Sequence, residues 1–541
     1  MRSFCVFVIS MSLALSVLAQ HGAHQAPVVT LEEGLGTAHY PVSTKNAEAQ
    51  RYFDQGLRYV YAFNHEQAVA SFKKATDLDP DLVMGYWGMA LALGPNINMD
   101  VEWEAERQAY EWAQVALRHV SKVSPKERDL INAVVRRYTK DPTVDLKALS
   151  VDYSKAMADV HRKYPDDVDI ATLYAESLMD LRPWKFWTHD GKPNEGTEEI
   201  VRVLEGVLKK APNHAGANHY YIHTVEASRN PEKALKSAER LQTLAPAAGH
   251  LVHMPAHIFQ RTGNYSAAAM ANVHGANADR EFIRKYGQNN MYSMMYYNHN
   301  LHFGAYSYAM AGRYADAKKL ADDVGATATA MAKEMAFVEP IAATPYLIRL
   351  RFGRWADVLR APDPAVGPIS KAFWHFARGV AFARLGNIAG AESEKAAFEK
   401  AAPAVPESSM MFQNSPTALM EVAAQVLAGR IAEARGQSAA AIAAYRRAAQ
   451  LEDALSYNEP ADWFYPVRET LGAALLRDGQ FDEAADVFRA DLARNPKNPR
   501  SLYGLAEALS RNGKKKEAAD ARARYQAGWK GADSKVSLSD L

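Results

Sequence analysis

Nine of the seventeen histidines in this 541-residue chain fall between His214 and His302, most of them three or four residues apart. On a helix, residues at that separation share a face with Cβ atoms about 5–6 Å apart, so both imidazoles of a pair reach a common point. This is a metal-ligand spacing. His219 and His223 form one pair, with Glu226 continuing its stripe; His253 and His257 form a second; His299 and His302 form a third, in the stripe Met295, His299, His302, Tyr306. These six histidines are the candidate ligands. Glu176, Glu226, His250, His274, Met295 and Tyr306 are candidate supporting residues, placed to ligate in turn or to accept a hydrogen bond that fixes a histidine tautomer.

All-imidazole ligation suits copper, iron, zinc or nickel. The only cysteine is Cys5, within the first twenty residues, which removes the thiolate that would point to zinc or iron–sulfur chemistry. Met254, Met291, Met294 and Met295 tilt the choice toward copper, although methionine at helical spacing also fills cores. The expected cofactor is therefore a transition metal: copper, iron or zinc. A nucleotide or flavin is not expected, because no glycine-rich loop has a phosphate-binding pattern, and neither an HExxH zinc motif nor a GxSxG elbow occurs. If the chain is an enzyme, copper or iron redox chemistry fits these ligands better than zinc hydrolysis. The same histidines can also be polar residues of a groove without metal.

The histidine pairs meet only if their helices are neighbours. From Glu48-Ala49 to Pro80, residues Tyr52, Gly56, Tyr59, Ala68, Phe72, Ala75 and Pro80 stand at the offsets of a 34-residue helix-turn-helix unit. Gly429, Ala441, Tyr445 and Ala448 repeat it, as do Gly472, Ala484, Phe488 and Pro496. A glycine stands five residues before an alanine in six turns: Gly263/Ala268, Gly312/Ala317, Gly386/Ala391, Gly436/Ala441, Gly479/Ala484 and Gly513/Ala518. The pattern resembles the tetratricopeptide repeat. That resemblance implies an all-α, right-handed superhelical solenoid whose first helices line one concave groove. It further implies that the three histidine-bearing segments face the same groove, and that a peptide or protein is a natural partner. LYAESLMDLRPW (173–184), NHYYIHTVEAS (218–228) and GHLVHMPAHI (249–258) also resemble a secreted bacterial branch of that superfamily, a resemblance that supplies fold and no mechanism.

Phe4 to Ala19 reads as a cleaved signal peptide ending near Ala19, which predicts a periplasmic or secreted protein. No later run is long and apolar enough for a membrane anchor. Removing Arg2 from the 63 Lys and Arg leaves 62 against 62 Asp and Glu, a balance that gives nucleic acid no electrostatic purchase. About 520 remaining residues exceed one compact core. The expected organisation is a flexible leader over 20–45, a histidine-rich repeat half over 46–345, further repeats over 346–530 and a disordered tail over 531–541. Two interruptions, 181–198 with Trp184 and Trp187, and 403–416 with Met410-Met411-Phe412, are candidate lids or flanking loops. Pro255 predicts a helix start, with His253 in its entry and His257 in its first turn.

Overall fold

A computed structural model describes residues 29–541 except 288–291, 334 and 406–412; the side chains of 336 and 337 are also outside it. The signal-peptide reading, Met291 and the Met410-Met411-Phe412 stretch lie outside the described residues. The chain is an all-α helical-repeat solenoid, helix following helix from Ala47–Tyr61 to Lys515–Gly528. Among the described residues there is no strand, only isolated bridges. The weakly patterned region between Asn96 and Gly196 is helical as well, with Trp103–Arg118, Pro125–Val134, Leu146–Lys163 and Val168–Met179.

Small residues set the helix spacing. Phe72, fully buried, lies so close to Gly56 and Gly88 that a Cβ at either would stand 2.6 Å from its ring. Phe488 does the same between Gly472 and Gly504. The six turn glycines all have φ between 74° and 83°, the left-handed region that lets the chain reverse within a tight turn, and the alanine five residues on is buried each time.

The apolar core divides into two clusters, one running from Leu35 to Phe303 and the other from Tyr265 to Leu541. Helices Tyr265–Tyr286 and Asn298–Met310 contribute to both. The two core clusters therefore interlock in this region. The superhelix also turns back on itself: Tyr265 donates to the Pro496 carbonyl (2.9 Å) and Arg261 to that of Arg494 (3.3 Å). Segment 454–466 is thereby carried into the histidine-bearing half.

Residues 29–45, the described part of the expected leader, and the tail 531–541 are both docked. Leu35 and Tyr40 are buried, the Tyr40 and Glu32 amides donate to Asp54 (3.1 Å) and Gln55 (2.7 Å), and the Ala247 amide donates to Gly34 O (3.0 Å). At the other end Leu541 is buried, Arg430 donates to its carbonyl (3.0 Å), Arg477 to that of Leu538 (2.8 Å), and Arg500 to that of Asp540. The polar composition of these ends hides a few apolar anchors, Leu35, Tyr40, Val536, Leu538 and Leu541, which suffice to seat them.

Phe72→Ala should cost about 3–5 kcal/mol, because Gly56 and Gly88 offer no side chain to fill the void. Urea unfolding followed by circular dichroism checks this; a loss below about 1 kcal/mol would mean the ring is not the spacer of the first repeat.

Candidate metal centre

The Ala215–Val225 helix starts at His214, whose Nδ1 accepts from the Ala217 amide (3.1 Å), and presents His219 and His223 one turn apart. Gly249–His253 and Pro255–Arg261 follow as two short helices, with Pro255 at the first position of the second, where its missing N–H costs nothing. The predicted start at Pro255 holds, and a short helix precedes it. Asn298–Met310 carries His299 and is entered through a π-helical turn, Ser293–Tyr297, a rare geometry that often marks functional sites.

These elements bring the histidines to two points, not one. Ligand atoms of His219, His223 and His250 lie within 4.8 Å of one another, and so do those of His253, His257 and His299. His250, expected only in support, is a full member of the first triad. Gly249–His253 thus hands His250 to one triad and His253 to the other.

Four of the six rings are oriented by what their Nδ1 meets, while His250 Nδ1 is buried without a partner. His219 Nδ1 donates to the Tyr61 carbonyl (2.7 Å), one of the free acceptors at the end of the Ala47–Tyr61 helix. His253 Nδ1 donates to Asn272 Oδ1 (3.2 Å), the amide being turned by its own bond to Ala268 O (3.0 Å). His223 Nδ1 donates to Glu226 Oε1 (2.9 Å) and His257 Nδ1 to Glu226 Oε2. A proton on Nδ1 leaves Nε2 with a bare lone pair. These Nε2 atoms face inward: His219 and His250 approach to 3.1 Å, His253 and His257 to 3.3 Å, and His223 Nε2 is buried without a hydrogen-bond partner.

Aromatic rings wall the triads. Phe63 lies 4.5, 6.0 and 5.6 Å from His219, His223 and His250, and Phe303 lies 6.4, 5.5 and 5.9 Å from His253, His257 and His299. Trp184 sets its edge against His223 at 5.5 Å, and Trp187 donates to the Thr224 carbonyl (2.6 Å), so the 181–198 loop covers the first triad. Phe63 (φ 54°) and Trp184 (φ 63°) hold left-handed backbone, a cost of order 1–3 kcal/mol that surrounding packing must sustain. A cavity of about 1180 Å³ opens beside the cluster, reaching His223, His250, His253, His257, His299 and His302, with Trp184, Met294, Met295 and Tyr296 in its walls.

Several expected residues lie elsewhere. His302 stacks on Phe464 (5.3 Å) and borders the cavity outside both triads. Glu176 is buried beside Arg137 (4.0 Å), which binds Asp180 (2.5 Å), and it supports no histidine. His274 is exposed on the Tyr265–Tyr286 helix. Tyr306 packs edge-on to Phe464 (5.3 Å). Met295 lines the cavity. One residue no sequence pattern announced is Glu459, whose carboxylate reaches His257 Nδ1 beside Glu226.

Burial holds His219, His250 and His253 well below the usual imidazole range, with neighbouring histidines adding to the effect. Burial also lowers His223, against the opposing pull of Glu226. His299 is brought to about 3, by burial and then His257, and His302 to about 4, by burial alone. Glu226 is buried, which by itself would raise it, but His257 and His223 hold it below the usual carboxylate range. Glu459 is raised by burial and then by the charge of Glu226. Burial thus favours the neutral form of His219, His223, His250, His253 and His299, with carboxylates behind His223 and His257.

A family model of the tetratricopeptide repeat matches residues 47–82, and another matches 475–526. No curated protein is significantly similar to the chain. Among solved structures, human IFIT1 in its dimer with PPP-AAAA is similar at 13% identity, over 90% of this chain and 91% of that one, with a TM-score of 0.31. Cut9–Hcn1 of an APC/C hetero-tetramer matches at 12% identity, over 91% and 75%, with a TM-score of 0.29. Naa15/Naa10 bound to HypK-THB matches at 13%, over 90% and 90%, with a TM-score of 0.23.

An unfolded histidine titrates near 6.5, so a folded value below it makes the unfolded chain the stronger proton binder in acid. The stability linked to such a group is complete above about pH 6.5 and is lost as pH falls toward the folded value. For His302, with a folded value of about 4, the loss at pH 4 is at most about 3 kcal/mol, a ceiling because the ring borders the cavity. His302→Asn should therefore narrow the gap between stability at pH 7 and pH 4 relative to wild type, measured by urea unfolding of the metal-free chain. Parallel pH profiles for the two would contradict a neutral, half-buried His302.

Proposed function

We propose that this tetratricopeptide-repeat protein is an exported metalloprotein that binds a transition metal through the imidazole cluster walled by Phe63 and Phe303. The observation that carries this reading is the set of Nδ1 hydrogen bonds: His219 to Tyr61 O, His253 to Asn272, His223 and His257 to Glu226. Metal-bound histidines characteristically donate their second nitrogen to a carbonyl or carboxylate, which fixes the tautomer and raises ligand basicity. Here four rings do so, and their remaining nitrogens share one buried space. The 3.1 and 3.3 Å Nε2 separations also match the ligand–ligand edge of a tetrahedral ion with metal–nitrogen bonds near 2.0–2.1 Å, which is about 3.3 Å.

Copper, iron and zinc all fit imidazole donors. When bound, such an ion supplies Lewis-acid or redox chemistry at the cavity beside it. The chain's own residues orient the imidazoles, exclude bulk water through Trp184 and the two phenylalanines, and accept protons at Glu226 and Glu459. The cavity supports a metalloenzyme reading more than a closed structural site, and the flanking repeats offer surface for a protein or peptide partner. The apolar, uncharged run 4–19 supports export.

Elemental analysis of the protein purified from its native compartment without chelators should find a first-row transition metal. His257→Ala should lower bound metal by half or more, while His274→Ala and His119→Ala should leave it unchanged. Wild-type protein free of metal, with no uptake of Cu(II) or Zn(II) in titration calorimetry, would make the cluster a polar groove of a metal-free scaffold.

A further inference from the structure

The cluster is divided in a way that a single ion does not use. Two Nε2–Nε2 contacts, His219/His250 at 3.1 Å and His253/His257 at 3.3 Å, each set two nitrogens at the separation of adjacent ligands on one ion. Without a cation, His250, its Nδ1 having no partner, can donate from Nε2 to His219, whereas His253 and His257, both donating through Nδ1, set one lone pair against another. Each contact has its own third imidazole within 4.8 Å: His223, whose Nε2 is buried and unpartnered, joins the first, and His299 joins the second. No histidine belongs to both triads, and each triad has its own phenylalanine.

The triads are nevertheless joined. Rings of His250 and His253 lie 5.1 Å apart, and those of His223 and His257 lie 5.4 Å apart. Glu226 links them from behind, one oxygen on His223 Nδ1 and the other on His257 Nδ1. His223, Glu226 and His257 also approach one another within 4.8 Å, but there the carboxylate holds the nitrogens that do not face the triads.

We infer that the cavity wall holds a dinuclear centre: two transition-metal ions side by side, one on His219, His223 and His250, the other on His253, His257 and His299, with Glu226 as the shared anionic support. The inference rests on the metal-binding reading above and adds the number and partition of the ions. Three imidazoles per ion leave an open coordination position, the mark of a reactive rather than a structural site. His223, His250, His253, His257 and His299 all reach the cavity, so an added ligand placed there meets both ions. The notch between the ions suits a small molecule that bridges or sits across two metals, as in other paired-metal sites with ions about 3.5–4 Å apart.

The test uses the full chain, stripped of metal, reloaded with Cu(II) or Zn(II) and passed through a desalting column. Wild type should retain two equivalents. His250→Gln and His299→Gln should each retain one, the double variant fewer than one, and His302→Gln two. Electron paramagnetic resonance of wild type at two equivalents of Cu(II) needs no variant: two ions this close should show dipolar broadening and a half-field transition, or a signal lost to spin coupling where an oxygen bridges them. One equivalent in wild type, abolished by either single substitution, would overturn the dinuclear assignment and leave a metal site standing. No retained metal would overturn both readings. Two equivalents with the sharp spectrum of isolated Cu(II) would place the second ion elsewhere and also overturn the pair.

Discussion

The hydrogen bonds that four of the six imidazoles make through Nδ1 are the constraint on which the cluster depends. A buried histidine must satisfy two nitrogens, and in this interior no water is needed at the outer one, because Tyr61 O, Asn272 Oδ1 and Glu226 take it. Once those acceptors are fixed, the tautomer and ring plane follow, and the inner nitrogens point at one another. Desolvation favours the neutral form of His219, His223, His250, His253 and His299, the state in which an imidazole can ligate a metal. The acceptors come from ordinary parts of the repeats: a helix C-terminus, an asparagine on the next helix, a glutamate one turn along.

The superhelix completes what the repeats begin. Return contacts at Tyr265–Pro496 and Arg261–Arg494 bring 454–466 against the first half, adding Glu459 to His257 and Phe464 to His302. The site is therefore shared between halves that are far apart in sequence. Its rim combines a tryptophan loop, a π-helical turn and two methionines, elements that a plain repeat lacks. The scaffold sets positions; these departures from it shape the chemistry.

Helical periodicity made His219, His223, His253, His257 and His299 legible, because residues one turn apart on an inner helix must share a face. It misplaced His302: three residues beyond His299 the helix has turned far enough to send that ring to Phe464. It undervalued His250, since the stretch from Gly249 serves two triads and no spacing rule shows where one ends. Turn glycines and buried alanines announced the repeats correctly. Glu459 carried no local signal, being placed by closure of the superhelix over more than two hundred residues. In the described ends, 29–45 and 531–541, polar composition hides the few apolar residues that dock them. Glu176 showed that a buried carboxylate near a helix pair answers first to the closest cation, here Arg137.

Anomalous diffraction from crystals of the metal-loaded protein, recorded at the absorption edge of the bound ion, tests the central claim most directly. Density is expected between His219 and His250 and again between His253 and His257, each about 2.0–2.1 Å from Nε2 atoms. Anomalous density only at surface histidines such as His274, with the buried rings unchanged, would contradict it.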